Sequence, residues 1–218
     1  MIINQSFKVI VITLGALLNG CASSVKDDAY IPQNGDLAFQ ISEISDFTKA
    51  ITDVSAMHDS IKFAHVGIVA IDNGKPCVIE AVPKDGVTIT PFETYLSEAL
   101  TIDGQPGVVI KRIRHDFPSE KAIATAKSFL GQEYDWNFLP DNGKIYCSEL
   151  VYESFTDSEG NRLFQARPMN FRNAEGDIPV YWEELFKKLG TDVPQGIPGT
   201  SPQDMSQEPI LEEVYSYF

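Results

Sequence analysis

The chain has 218 residues, enough for one well-buried core and short for two domains, and its 43% hydrophobic and 22% charged content is ordinary for a globular protein. Its formal net charge of −14, with no clustered basic stretch, excludes a nucleic-acid binder that works by neutralising phosphates. Its histidines and cysteines show no ligand-like spacing and no Gly-rich phosphate loop follows a strand, so neither metal nor cofactor is expected.

Lys8 is the only charged side chain in residues 1–20 and precedes VIVITLGALL. That run is too short for a comfortable membrane span and has the length of a signal-peptide core. It ends in Leu18-Asn19-Gly20-Cys21, which resembles the bacterial lipobox. Residues 1–20 are therefore expected to be a lipoprotein signal peptide, and Cys21 the lipidated first residue that ties the protein to a membrane. Ala22 stands where an Asp would signal inner-membrane retention, which in a Gram-negative source points to the outer membrane, facing the periplasm. Residues 21–33 are polar and read as a tether.

A hydrolase-like domain is expected over residues 34–190. GDLAFQIS, from Gly35, reads as its first strand, and SDFTKAITDVSAM as a helix with Phe47, Ile51 and Val54 at helical spacing. FAHVGIVAI (63–71) is apolar on both alternating faces, as in a buried central strand. Asp72-Asn73-Gly74 is a hairpin signal that returns CVIEAV beside it, and PKDG turns again into VTITP. PFETYLSEAL reads as a short helix, GVVIKRIR as a strand, and PSEKAIATAKSFLG as a helix entered through Pro118 and ended by Gly131. A loop, QEYDWNFLPDNGKI, then leads into a helix that begins at Cys147, and VYWEELFKKLG makes a last amphipathic helix. From Thr191 the chain is rich in Pro, Gly and Ser, so 191–218 is expected to be an irregular tail whose end, ILEEVYSYF, docks on the body. Helices and antiparallel strands mix without βαβ alternation, which makes the fold α+β: an antiparallel sheet or small barrel packed against helices.

Cysteine alone is weak evidence for chemistry, because buried cysteines are usually packing. Cys147 has context. It starts a helix, where amides point outward and both a thiolate and an oxyanion are stabilised. His65 lies in an apolar strand, and Gly67, two residues on, leaves space beside it for another chain or a substrate. A histidine base needs a third group to hold its tautomer. Centring the hairpin on Asn73 sets Glu80 almost directly opposite His65, and a carboxylate in an otherwise apolar strand has no packing role there. His58 and His115 sit among polar neighbours and read as surface residues. Cys77 and Cys147 form no disulfide framework, though in an oxidising compartment two free thiols can pair, which would block a nucleophile.

Taken in order, Gly35-Asp36, His-Val-Gly-Ile at 65–68, Ile-Glu-Ala at 79–81, Tyr134-Asp135 and Tyr-Cys-Ser-Glu-Leu at 146–150 resemble the YiiX/YebB-like cysteine hydrolases. These form the circularly permuted branch of the NlpC-type, papain-like superfamily, in which His precedes Cys, and they are related to the lecithin retinol acyltransferase group. The resemblance covers residues 34–157. It implies a permuted papain-like fold with Cys147 as nucleophile, His65 as base, Glu80 as third member and Tyr134 beside the thiol, helping an oxyanion hole. It further implies an amide or peptide hydrolase, as in relatives that cut murein stem peptides, or a thiol-dependent lipid acyl hydrolase or acyltransferase. A binding lipoprotein with an inactive cleft is the non-enzymatic alternative. A polar cleft would favour murein peptides, and a long apolar one acyl chains.

Overall fold

The computed structural model describes residues 29–41 and 62–218. The signal-like run, Cys21, most of the tether, the helix expected near residues 45–57 and His58 lie outside them.

The centre of the fold is an antiparallel hairpin, β2 (His65–Asp72) and β3 (Lys75–Val82). Val66, Ile68, Val69 and Ala70 are wholly buried, as a central strand covered on both faces requires. Asn73 (φ 50°) and Gly74 (φ 78°) form the loop, both in the left-handed region that a two-residue hairpin turn demands and that Asn and Gly adopt at least cost. β1 (Leu37–Gln40) pairs with β2, and β4 (Gly86–Pro91) with β3. After α1 (Phe92–Glu98) and a small ribbon of β5 (Thr101–Ile102) and β6 (Gln105–Pro106), β7 (Val108–Ile113) pairs with the other edge of β1.

α2 (Ser119–Ser128) follows Pro118 as expected. α3 (Cys147–Ser154) lies beside α2 and across β2 and β3, and buries Leu150 and Val151 completely. Burial of one such aliphatic side chain is worth roughly 1.5–3 kcal/mol, and Leu150→Ala would cost about 2–5 kcal/mol. Beyond it come β8 (Arg167–Pro168), α4 (Val180–Leu189), β9 (Pro198–Gly199), α5 (Pro202–Ser206) and β10 (Leu211–Ser216). The main sheet runs β10-β7-β1-β2-β3-β4, with every neighbour antiparallel.

The segment after Thr191 departs from the expected irregular tail. Its end does dock, but as β10, an edge strand of the main sheet, and its middle pairs as β9 with β8. Pro- and Gly-rich chain is ordered here by tertiary partners: Gly196 N–H donates to Met169 O at 2.8 Å, and Phe171 N–H to Gln195 Oε1 at 2.8 Å. Asp36, almost fully buried, is held between the Arg112 guanidinium (2.6 and 2.8 Å) and the Tyr30 hydroxyl (2.7 Å). That bidentate pair fixes the start of β1 to β7.

Candidate active site

Cys147 occupies the first position of α3. The preceding residue, Tyr146, is extended (φ −105°, ψ 171°), and its N–H donates to Glu149 Oε2 at 3.4 Å. A carboxyl three residues into a helix that caps the entering amide is a strong local start signal. The amides of Cys147 and Ser148 fall in the first turn, where no intrahelical acceptor exists. Burial pushes the Glu149 carboxyl up to about 8, opposed by the Tyr146 amide and reinforced by Asp135, Glu153 and Asp141.

His65 opens β2, where α3 begins. Its Nε2 lies 2.6 Å from Glu80 Oε2, and Cys147 is near enough to act on the same imidazole. Burial opposes a charged imidazole, but its interactions with Cys147 and Glu80 outweigh it and raise His65 to about 10. Both ring nitrogens then carry a proton, and Nε2 donates to the carboxylate.

The His65–Glu80 contact forms, though through a different register from the one expected. The loop is the pair Asn73-Gly74 rather than a turn centred on Asn73, so Ile68 faces Ile79 and Asp72 faces Lys75. Glu80 consequently falls level with Gly67 and reaches the imidazole along a diagonal, still within range of a long side chain. The space at Gly67 is filled by the protein itself: a Cβ there would lie 2.2 Å from Val78 Cγ1 and 3.4 Å from both Glu80 Cβ and Tyr95 Cε2. It is a packing contact, not room for substrate.

The other oxygen of Glu80 also has a partner, Thr90 Oγ1 on β4, which donates to Oε1 at 2.5 Å. Cys77 and Cys147 are both free thiols. Cys77 turns its sulfur to Ala70 O at 3.5 Å, and burial, then Asp72, raises its thiol above the ordinary value. His115 is exposed, as expected.

Tyr134 is buried and joined by a parallel bridge to Ile145, two residues before Cys147. Burial, followed by the electrostatic influence of Cys147, holds its phenol well above the ordinary value, so it stays protonated. Tyr134 and Cys147 border one cavity of about 250 Å³. Phe138, Phe171 and Trp182 supply its aromatic wall, with Trp182 edge-on to Phe138 (5.6 Å) and to Phe171 (5.1 Å). Arg167, Asn170 and Asp204 give it polar edges.

Phe138 reaches the cavity from an unusual backbone, with φ 53°. A bulky residue in that region costs of order 1–3 kcal/mol and persists only where its surroundings insist. Asp135, completely buried, accepts the N–H groups of Asn137 (2.9 Å) and Leu139 (2.8 Å) and so brackets Phe138 on both sides. The sequence reading missed this wall. The nearest signal was Asp135-Trp136-Asn137, since an aspartate that captures the amide two residues on is a common turn device.

A histidine strand preceding a cysteine helix, with a carboxylate behind the histidine, defines a papain-like cysteine hydrolase in permuted order. The chain belongs to the permuted papain-like amidase family, YaeF/YiiX, C92, whose model matches residues 31–215. It is 31% identical over 195 residues to the uncharacterized protein YiiX of Escherichia coli K12, covering 88% of this chain and 90% of that one. It also resembles the crystal structure of metalloprotein yiiX from Escherichia coli O157:H7, with a TM-score of 0.70 and 28% identity, over 86% of this chain and 98% of that one. The protein is thus a cysteine peptidase or amidase-type enzyme of papain-like fold.

The description of that relative as a metalloprotein finds no counterpart among the described residues of this chain. Among the described residues no three His, Cys, Asp or Glu side chains converge, and His65 and Glu80 are each other's partners.

Proposed function

We propose that the protein hydrolyses amide bonds whose acyl side carries an apolar group, with Cys147, His65 and Glu80 as its triad. The observation that carries this is the imidazole held 2.6 Å from Glu80 and influenced by Cys147, beside an aromatic-walled cavity that Cys147 lines. The thiolate attacks the carbonyl carbon and a C–S bond forms. His65 gives its proton to the departing amine as the C–N bond breaks, leaving a thioester on Cys147. Water then attacks the thioester, His65 takes the proton, and the acid leaves with the thiol regenerated. The Cys147 amide and the protonated Tyr134 phenol are the donors offered to the oxyanion.

Cavity size and lining bear on the substrate. At about 250 Å³ it lies just under the range of roughly 300–1,000 Å³ usual for small-molecule pockets, so it takes one apolar group rather than a polymer. Its aromatic wall favours an acyl chain over a polar murein stem peptide. Intact mass spectrometry with a panel of N-acyl amides and stem-type peptides tests this. Acyl adducts on Cys147 are expected from the apolar amides and absent in Cys147→Ala. Adducts from the peptides alone would overturn the acyl reading while leaving the hydrolase.

The lipobox-like sequence at Cys21 supports anchoring in the bacterial envelope. A palmitate analogue fed to cells should label the wild type and not Cys21→Ser. Persistent labelling of the variant would refute the anchor.

A further inference from the structure

We infer that Thr90 is a fourth, positioning member of the site, acting on His65 through Glu80. The proposal rests on the triad reading above and adds a residue that the motif order does not assign.

Three neighbouring strands contribute one polar side chain each. His65 is on β2, Glu80 on β3 and Thr90 on β4. Glu80 pairs directly with Thr88 and Val78 with Thr90, so the Thr90 contact, like that to His65, runs diagonally between strands. Glu80 Oε2 meets His65 Nε2 at 2.6 Å, and Oε1 accepts the Thr90 hydroxyl at 2.5 Å. Among the described residues, these two bonds are the side-chain partners of a carboxylate that is only 3% exposed.

Two physical consequences follow. The last torsion of a glutamate is broad and roughly two-fold, so a carboxylate held at one oxygen can still swivel. A donor at Oε1 removes that freedom and aims Oε2 at the imidazole. A buried carboxylate oxygen without a partner also carries a desolvation penalty, which the Thr90 hydroxyl removes. Thr90 touches no reacting atom. Its influence is through the strength and direction of the Glu80–His65 bond, one of the interactions that raise His65 to about 10.

Neighbouring residues on β4 are a useful control. Thr88 lies two residues from Thr90 on the same face of β4, is also partly buried, and faces Glu80 in the register. The described hydrogen bond to the carboxylate comes from Thr90.

The test needs no substrate. The rate of Cys147 alkylation by iodoacetamide, followed by peptide mapping across pH 5–11, reports how far His65 activates the thiol. Thr90→Val is expected to slow labelling about tenfold at pH 7, the order expected for a lost hydrogen bond to a charged group, and to move the alkaline limb to lower pH. Thr90→Ser, which keeps the hydroxyl, should stay within about twofold of wild type, as should Thr88→Val. In a Glu80→Gln background Thr90→Val should add little, because the two act as one unit. Wild-type rate and pH profile in Thr90→Val would overturn the proposal. So would an equal loss in Thr90→Ser, or a Thr90→Val effect that persists undiminished beside Glu80→Gln. If Glu80→Gln slows labelling and Thr90→Val does not, the triad stands and Thr90 falls. If neither does, both readings fail.

Discussion

On one side of Cys147 stand His65, Glu80 and Thr90, on adjacent strands and joined by short hydrogen bonds. On the other stand Phe138, Phe171 and Trp182, from a loop, a connecting segment and α4, packed edge to face. The two sides are held to different tolerances. A hydrogen-bond relay depends on distances and angles of individual atoms, and a sheet with fixed register supplies them. An apolar wall depends on shape and on the exclusion of water, which several arrangements of rings can satisfy. Damage to the strands should therefore change the rate of chemistry, whereas damage to the wall should change which acyl group is accepted.

The largest effects belong to the relay. Cys147→Ala and His65→Ala should each cost at least about a thousandfold in kcat/KM, and the double variant little more, since residues acting as one unit are strongly non-additive. Additive losses in steady-state kinetics would separate the two. Glu80→Gln should cost less, about 10–100-fold, because an amide can hold the imidazole but cannot balance its charge.

The wall is probed through Asp135. Asp135→Asn loses the charge-assisted capture of the Asn137 and Leu139 amides and releases the backbone of Phe138. KM for an apolar acyl amide is expected to rise about tenfold with kcat nearly unchanged, the pattern of lost uniform binding. A fall in kcat with KM unchanged would place Phe138 in the chemistry and erase the distinction between the two sides.

The smallest effect is on stability. Glu149 is pushed from an ordinary 4.5 to about 8 in the folded chain. Between those values the folded state holds a proton that the unfolded state releases, so stability falls as pH rises and levels off above about 8. Glu149→Gln cannot titrate. Its melting temperature relative to wild type should climb by a few degrees between pH 5 and 8, as read by calorimetry. For His65 the sign is the same: a base raised to about 10 contributes stability that is full below about 6.5 and is lost as pH rises through 10.

The strand side was largely legible in the sequence because its signals are local. An Asn-Gly pair in the left-handed region fixes a hairpin, and alternation marks which side chains share a face. The register was missed by the width of the turn, yet Glu80 is long enough to reach His65 from one step along. Thr90 looked like any threonine in an alternating strand, since nothing in VTITP says that its hydroxyl meets a carboxylate.

The wall was illegible for a different reason. Phe171 is held by Gln195, and Gly196 by Met169, through bonds that span more than twenty residues of irregular chain. Such partners leave no periodicity, so a Pro- and Gly-rich stretch reads as a tail although it supplies β9 and β10.

The most direct test of the relay compares the two free thiols of the folded protein, both buried. Iodoacetamide at near-neutral pH, followed by peptide mass spectrometry, gives a labelling rate for each. Cys147, against His65, is expected to react much faster than Cys77, whose thiol is raised by burial, and His65→Ala should abolish that advantage. Equal, slow labelling of both cysteines in the wild type, unchanged by His65→Ala, would contradict the account.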